Sequence, residues 1–137
     1  AEYKFVNKKI FIDRSDSKFN HCKIINSDEV WNFLKTKGFK KYKLTEMNFI
    51  NQLGLFNNAS IIIGAHGAGL SNIIFSKVGC KIIEIKPKNH SNKFFSRVSQ
   101  INNLNHDEII SKDLKLNVDN KPGDIFVDIN DISNLLD

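Results

Sequence analysis

The run Ser60-Ile-Ile-Ile-Gly-Ala-His66-Gly-Ala-Gly-Leu-Ser-Asn-Ile-Ile-Phe75 leaves a β-branched stretch, crosses three glycines and resumes with Leu70, Ile73 and Ile74 at helical spacing. It reads as strand, loop and helix. Ile61 to Ile63 suit a strand covered on both faces. Gly64, Gly67 and Gly69 let the backbone approach a ligand, and the first amides of the new helix point into the same space. A phosphate is the natural guest of such a turn. Glycines also serve a tight connection by packing alone, so the loop leaves both readings open. The P-loop lysine is missing and the spacing is not GxGxxG, which excludes the two common nucleotide fingerprints. His66-Gly67-Ala68-Gly69 is similar to an esterase oxyanion loop, but the chain has no GxSxG elbow to go with it.

On the N-terminal side, Lys8-Lys-Ile-Phe-Ile-Asp-Arg14 predicts a first strand ending in Asp13 and Arg14. A polar loop over 15–26 follows, containing Asp16, Lys18, His21 and Lys23. Asn26 and Glu29 are spaced as a capping box, ahead of a helix that buries Val30, Phe33 and Leu34 and stops at Gly38. Lys40 to Leu44 reads as a second strand, Thr45 as the next cap, and Phe49, Leu53 and Phe56 as one apolar helix face. On the C-terminal side, Lys81-Ile-Ile-Glu-Ile-Lys-Pro87 is another strand and Asn92 to Asn103 a helix carrying Phe94, Phe95 and Val98. Beyond Leu104 the pattern weakens to a strand near Glu108 to Ile110, a turn at Lys121-Pro-Gly123, an extended Ile125 to Val127 and a closing helix over Ile132 to Leu136.

Alternating strands and amphipathic helices imply an α/β fold, doubly wound around a mainly parallel sheet. If the Tyr42 strand pairs on one side of the first strand and the Ile61 strand on the other, the chain reverses direction between them. Ligands bind at such switch points, beyond the carboxyl ends of the strands. Arg14 and the His66 loop would meet there.

The 137 residues suffice for one domain, and a charged fraction of 26% with an apolar fraction of 41% is that of a globular chain. A start at Ala1 without methionine leads us to expect either processing or a piece cut from something longer. The net charge of +5 favours an anionic partner. Scattered lysines without basic runs or interleaved aromatics argue against nucleic acid. Arg14 and Arg97 are the only arginines, the latter read as a surface residue on its helix. Cys22 and Cys80 show no metal or disulfide spacing and read as buried free thiols. No run is long enough for a membrane span and no signal peptide is seen, so this stretch is expected to be soluble.

Several segments together resemble the glycosyltransferase family 61 type. They are Ile10-Phe-Ile-Asp-Arg14, Lys23-Ile-Ile-Asn26, Gly38-Phe39, Phe49 with Gln52 and Leu55-Phe56, Ala59, Gly64-Ala-His-Gly-Ala-Gly-Leu-Ser-Asn72 and Ile83-Glu-Ile-Lys-Pro87, in order over somewhat more than half the chain. Asp13, Lys23 and Ala65 stand where that family commonly has serine, arginine and proline. The resemblance implies the carboxyl-terminal, donor-binding, Rossmann-like lobe of a two-lobed GT-B-type enzyme. It also implies inverting sugar transfer from a nucleotide-diphosphate donor, a UDP-sugar first among them, with no metal or cofactor required.

The donor-binding residues so implied are Arg14, Lys23, Gly64, His66, Gly67, Ala68, Gly69, Leu70, Ser71, Asn72 and Glu84. His66 would donate to phosphate or sugar, or simply bond the loop backbone. Glu84, a charge inside an apolar strand, would accept from a ribose or pair with Arg14 or a lysine. Expected partners are a nucleotide sugar, a glycan acceptor and an N-terminal acceptor lobe, with peripheral membrane association through the full-length protein; the general base is not identified, since in this architecture the other lobe can supply it. A bacterial cytoplasmic enzyme of capsular polysaccharide synthesis is preferred over a Golgi or endoplasmic reticulum one. The alternative is a nucleotide- or phosphate-binding module without chemistry.

Overall fold

The computed structural model describes residues 8–14, 22–113 and 123–136. Five strands, β1 (Lys9–Ile12), β2 (Lys40–Tyr42), β3 (Ile61–Ala65), β4 (Lys81–Lys86) and β5 (Asn105–Ile110), form one sheet in the order β2-β1-β3-β4-β5. Every pairing is parallel. This is the expected α/β doubly wound arrangement, and the switch point falls between β1 and β3. Helices α1 (Ser27–Thr36), α2 (Phe49–Asn58), α3 (Phe94–Ile101) and α4 (Ile129–Leu136) flank it.

Alternation along the strands builds two cores. Ile10, Ile12, Ile62 and Ile82 pack under Leu55 and Phe56 of α2, Leu70 and Ile73 of the segment after the glycine loop, and Phe95 of α3. Phe11, Ile63, Ile83 and Ile85 pack on the opposite face against Val30 and Leu34 of α1 and Ile132 of α4. Central β3 and β4 are therefore buried on both sides, which is why they read as unbroken apolar runs. Edge strand β2 instead exposes Lys40 and Lys41, charges that discourage a further strand from pairing there.

Several local expectations change. The helix after the glycine loop is a 3-10 helix, Ala68–Phe75. Thr45 lies in a short 3-10 turn, Leu44–Glu46, and the cap of α2 is Asn48, whose side chain accepts from the Asn51 amide at 2.8 Å. The buried residues of α2 are Leu55 and Phe56, with Gln52 half-buried one turn earlier and Ala59 buried just past the helix, while Phe49 is 58% exposed and sets its ring edge-on to Phe75. Gln52 tolerates the inside because its amide donates to the Leu44 and Met47 carbonyls and accepts from Asn72.

Asn26 stands at the N-cap of α1, but its side chain makes no capping hydrogen bond. Its amide contacts Glu29 and exchanges two hydrogen bonds with the Val127 backbone, tying together segments far apart in sequence. Beside it Ile24 and Ile125 form an isolated parallel bridge, the extended stretch anticipated near Ile125. β5 begins at Asn105, three residues before the expected Glu108, and α4 at Ile129 rather than Ile132. Gly38 ends α1 with φ +86° as expected. Asp16, Lys18, His21 and most of the turn at Lys121-Pro-Gly123 lie outside the described residues.

Candidate functional site

Ile12, Gly64, Glu84 and Glu108 align across β1, β3, β4 and β5 in strand register. Two residues further on, Arg14, His66 and Lys86 belong to the same face by alternation. The His66 amide extends the ladder by donating to the Ile85 carbonyl at 2.8 Å. Arg14 and the glycine loop thus meet at the carboxyl end of the sheet, at the switch point.

Arg14 Nη1 donates to the His66 carbonyl at 2.7 Å. A Cβ on Gly67 would lie 1.7 Å from that same nitrogen, so Gly67 makes room for the guanidinium. Its φ of +157° also belongs to a region that side chains rarely adopt. The other two glycines do different work. A Cβ at Gly64 would press on Ile12 and Leu70 at 3.3 Å, and one at Gly69 would meet Ile12 and Leu44 at 3.4 Å. Both let the 3-10 segment settle on β1, and Gly69 has no left-handed backbone.

The remaining expected residues are spread around this centre. Leu70 is core, Ser71 is exposed, and Asn72 is bonded to Gln52. Ala68 opens the 3-10 segment. Lys23 is exposed, and its carbonyl accepts from the Ile125 amide at 2.7 Å.

Glu84 is wholly buried, and its hydrogen-bond donors are two histidines rather than the Arg14, lysine or ribose weighed from sequence. Oε2 lies 2.5 Å from His66 Nδ1 and Oε1 lies 2.9 Å from His106 Nε2. Burial pushes the Glu84 carboxyl upward. The hydrogen bonds from His106 and His66 and the Lys86 charge outweigh that, and hold it below the usual carboxylate range. His106 in turn contacts Ser99 Oγ at 2.7 Å. His66 packs its ring on His90 and on the edge relation to Phe95, with centroids 4.3 Å and 4.9 Å away. Burial, and then the neighbouring His66 and Lys86, hold His90 below the ordinary imidazole range. Lys86, 2% exposed, is satisfied by the Asn92 carbonyl at 2.8 Å and Glu108 at 3.0 Å.

His90, Ser99, His106 and Lys86 were missed from sequence. One signal existed: Glu84-Ile-Lys86 set beside His106-Asp-Glu108 gives complementary partners across neighbouring strands. Starting β5 at Glu108 hid His106. Both thiols are free, with Cys80 pushed up to about 11 by burial and Cys22 raised for the same first reason. Neither is poised as a nucleophile at neutral pH.

Glu84, His106 and Glu108 offer three metal-ligand atoms within 4.8 Å of one another. The Lys86 ammonium already sits on Glu108, and both Glu84 oxygens face ring N–H groups. Those donors oppose a cation there. What the arrangement suits is an anion: the Arg14 guanidinium, the His66 and His90 imidazoles and a glycine loop converge at the carboxyl end of the sheet.

The sequence model of the family described as Glycosyltransferase 61 matches residues 2–83. The chain belongs to this family. The EGF domain-specific O-linked N-acetylglucosamine transferase of Mus musculus is 38% identical over 68 residues, 46% of this chain and 13% of that protein. Its Gallus gallus counterpart is 41% identical over 61 residues, 41% of this chain and 11% of that protein. A beta-1,2-xylosyltransferase of Oryza sativa subsp. japonica is 31% identical over 93 residues, 66% of this chain and 16% of that protein. The matched stretch therefore spans less than a fifth of these glycosyltransferase 61 relatives. They are animal and plant proteins, and lend the bacterial preference no support. Among the described residues no helix is long and apolar enough to cross a membrane.

Proposed function

We propose that this chain holds the nucleotide-diphosphate sugar of an inverting glycosyltransferase and forms the donor lobe of a two-lobed enzyme. The observation that carries this reading is the convergence of Arg14, His66 and Gly67 at the switch point between β1 and β3. A departing nucleotide diphosphate develops negative charge that positioned donors must stabilise. Arg14 brings a planar fork of N–H groups, anchored through His66, and the loop brings His66 beside it. No protein metal is assigned to that duty. The relatives named above transfer different sugars, N-acetylglucosamine and xylose by their names, so a uridine diphosphate sugar is proposed only as a class. A glycan or protein-linked acceptor and the general base would come from the rest of the enzyme.

Calorimetric titration with uridine and guanosine diphosphates, with and without magnesium, tests this reading. Arg14→Lys keeps the charge and loses the fork, so affinity should weaken by about 1–2 kcal/mol with a nearly unchanged unfolding midpoint. Parent-like binding by a folded Arg14→Lys chain would reduce Arg14 to an anchor of the loop. Binding without transfer by the longer protein would favour the non-catalytic module.

A further inference from the structure

Ser99, His106, Glu84 and His66 form one hydrogen-bonded chain running from α3 across β5 and β4 to the glycine loop. The steps are 2.7 Å from Ser99 Oγ to His106 Nδ1, 2.9 Å from His106 Nε2 to Glu84 Oε1 and 2.5 Å from Glu84 Oε2 to His66 Nδ1. Ser99 and Glu84 have no exposure, whereas the His66 side chain keeps 13%. The chain therefore starts in the core and ends at the surface of the site.

An ionised carboxylate can only accept hydrogen bonds. Both ring nitrogens facing Glu84 must then carry protons. Neutral His106 is thereby the Nε2–H tautomer, whose Nδ1 accepts from the Ser99 hydroxyl. Neutral His66 is the Nδ1–H tautomer, which leaves Nε2 for a ligand. Resting on the donor-site reading above, we propose that His106, braced by Ser99, is a positioning residue: it holds Glu84 in the orientation that fixes His66 and presents Nε2 to the donor diphosphate.

A hydrogen bond from Nε2 to a phosphate oxygen requires a proton on that nitrogen, and the Glu84 carboxylate on the other side of the ring favours it. Lys86 on β4, His90 in the following loop and Arg14 at the end of β1 oppose a positive charge on that ring. Glu108 and His106 on β5 lie on the far side of Glu84, and α3 contributes the Phe95 ring. This chain of contacts extends past the family match, which ends at residue 83.

The test is nitrogen NMR of the histidine rings in the ligand-free chain, followed by uridine diphosphate titration. His106→Gln can still offer an N–H to Glu84, and should keep both the protected His66 Nδ1–H signal and the parent affinity. His106→Phe offers none, so that signal should be lost and affinity should fall on the order of tenfold, as when an orienting partner of a ligand-binding histidine is removed. Ser99→Ala, a near-isosteric change that guards against misfolding of the Phe variant, should leave His106 in the Nε2–H tautomer that Glu84 sets but loosen its ring, and weaken binding by less. A protected His66 signal and parent affinity in folded His106→Phe would overturn the positioning role. Failure of the parent chain to bind the nucleotide would sink the donor reading alone, since the ring signals are read without ligand.

Discussion

Gly67 is held to glycine by Arg14, and Gly69 is not held by anything comparable. An added Cβ at Gly67 falls on the guanidinium, at 1.7 Å from Nη1, and must displace it from the His66 carbonyl. Gly67→Ala should therefore cost about 1–3 kcal/mol in denaturant unfolding and remove nucleotide binding. Gly69→Ala meets Ile12 and Leu44 at ordinary contact distance, so it should stay within about 0.5 kcal/mol of the parent and bind normally. Equal effects at the two positions would refute this division. The glycine triplet looked uniform in sequence because only the neighbours, Arg14 in one case and Ile12 in the other, tell its members apart.

At the scale of elements, α2 shows how a half-buried polar side chain can border the core. Gln52 joins the Leu44–Glu46 turn to α2 and to Asn72, so it serves three carbonyl and amide groups at once. Gln52→Leu would raise hydrophobicity yet leave those groups without their partner, and should destabilise by about 1–3 kcal/mol. Phe49→Ser removes a larger apolar side chain that is already 58% exposed, and should cost less. Thermal unfolding of the two variants side by side decides the order; a milder Gln52→Leu would mean that water replaces the network. Apolar spacing alone had placed Phe49 inside, because period counts every hydrophobe and cannot see a carbonyl waiting for an amide. The same blindness shortened β5, whose first residues are polar and join the sheet only because β4 offers them a ladder.

For the molecule as a whole, pH should act through the buried cluster. His90 titrates below the ordinary imidazole value of about 6.5, so below that pH the unfolded chain binds the extra proton and stability falls. Glu84 titrates below the carboxylate range of about 4.3, so its contribution is complete above that range and is lost as pH falls through its folded value. Both act in one direction. The unfolding midpoint should drop in two stages from pH 7 toward acid, and His90→Gln should flatten the upper stage alone; an unchanged upper stage would assign it to other groups. A second expectation concerns reach: by itself this chain should bind a nucleoside diphosphate weakly and transfer no sugar, because an acceptor lobe would complete the water-excluding cleft. Sugar transfer by the chain alone, followed with a radiolabelled donor, would contradict that.

The sequence by itself determined the class of fold, most strand and helix locations, and the meeting of Arg14 with the His66 loop. These follow from periodicity and connectivity, which are local or nearly so: apolar runs mark buried strands, and the handedness of crossovers limits their order. Tertiary structure alone decided the partners of Glu84, the separate duties of Gly64, Gly67 and Gly69, and the tie from Asn26 to Val127. A buried charge announces that it needs partners. Which groups supply them depends on register between strands distant in the chain, and here β5 brings His106 to one oxygen while the loop brings His66 to the other.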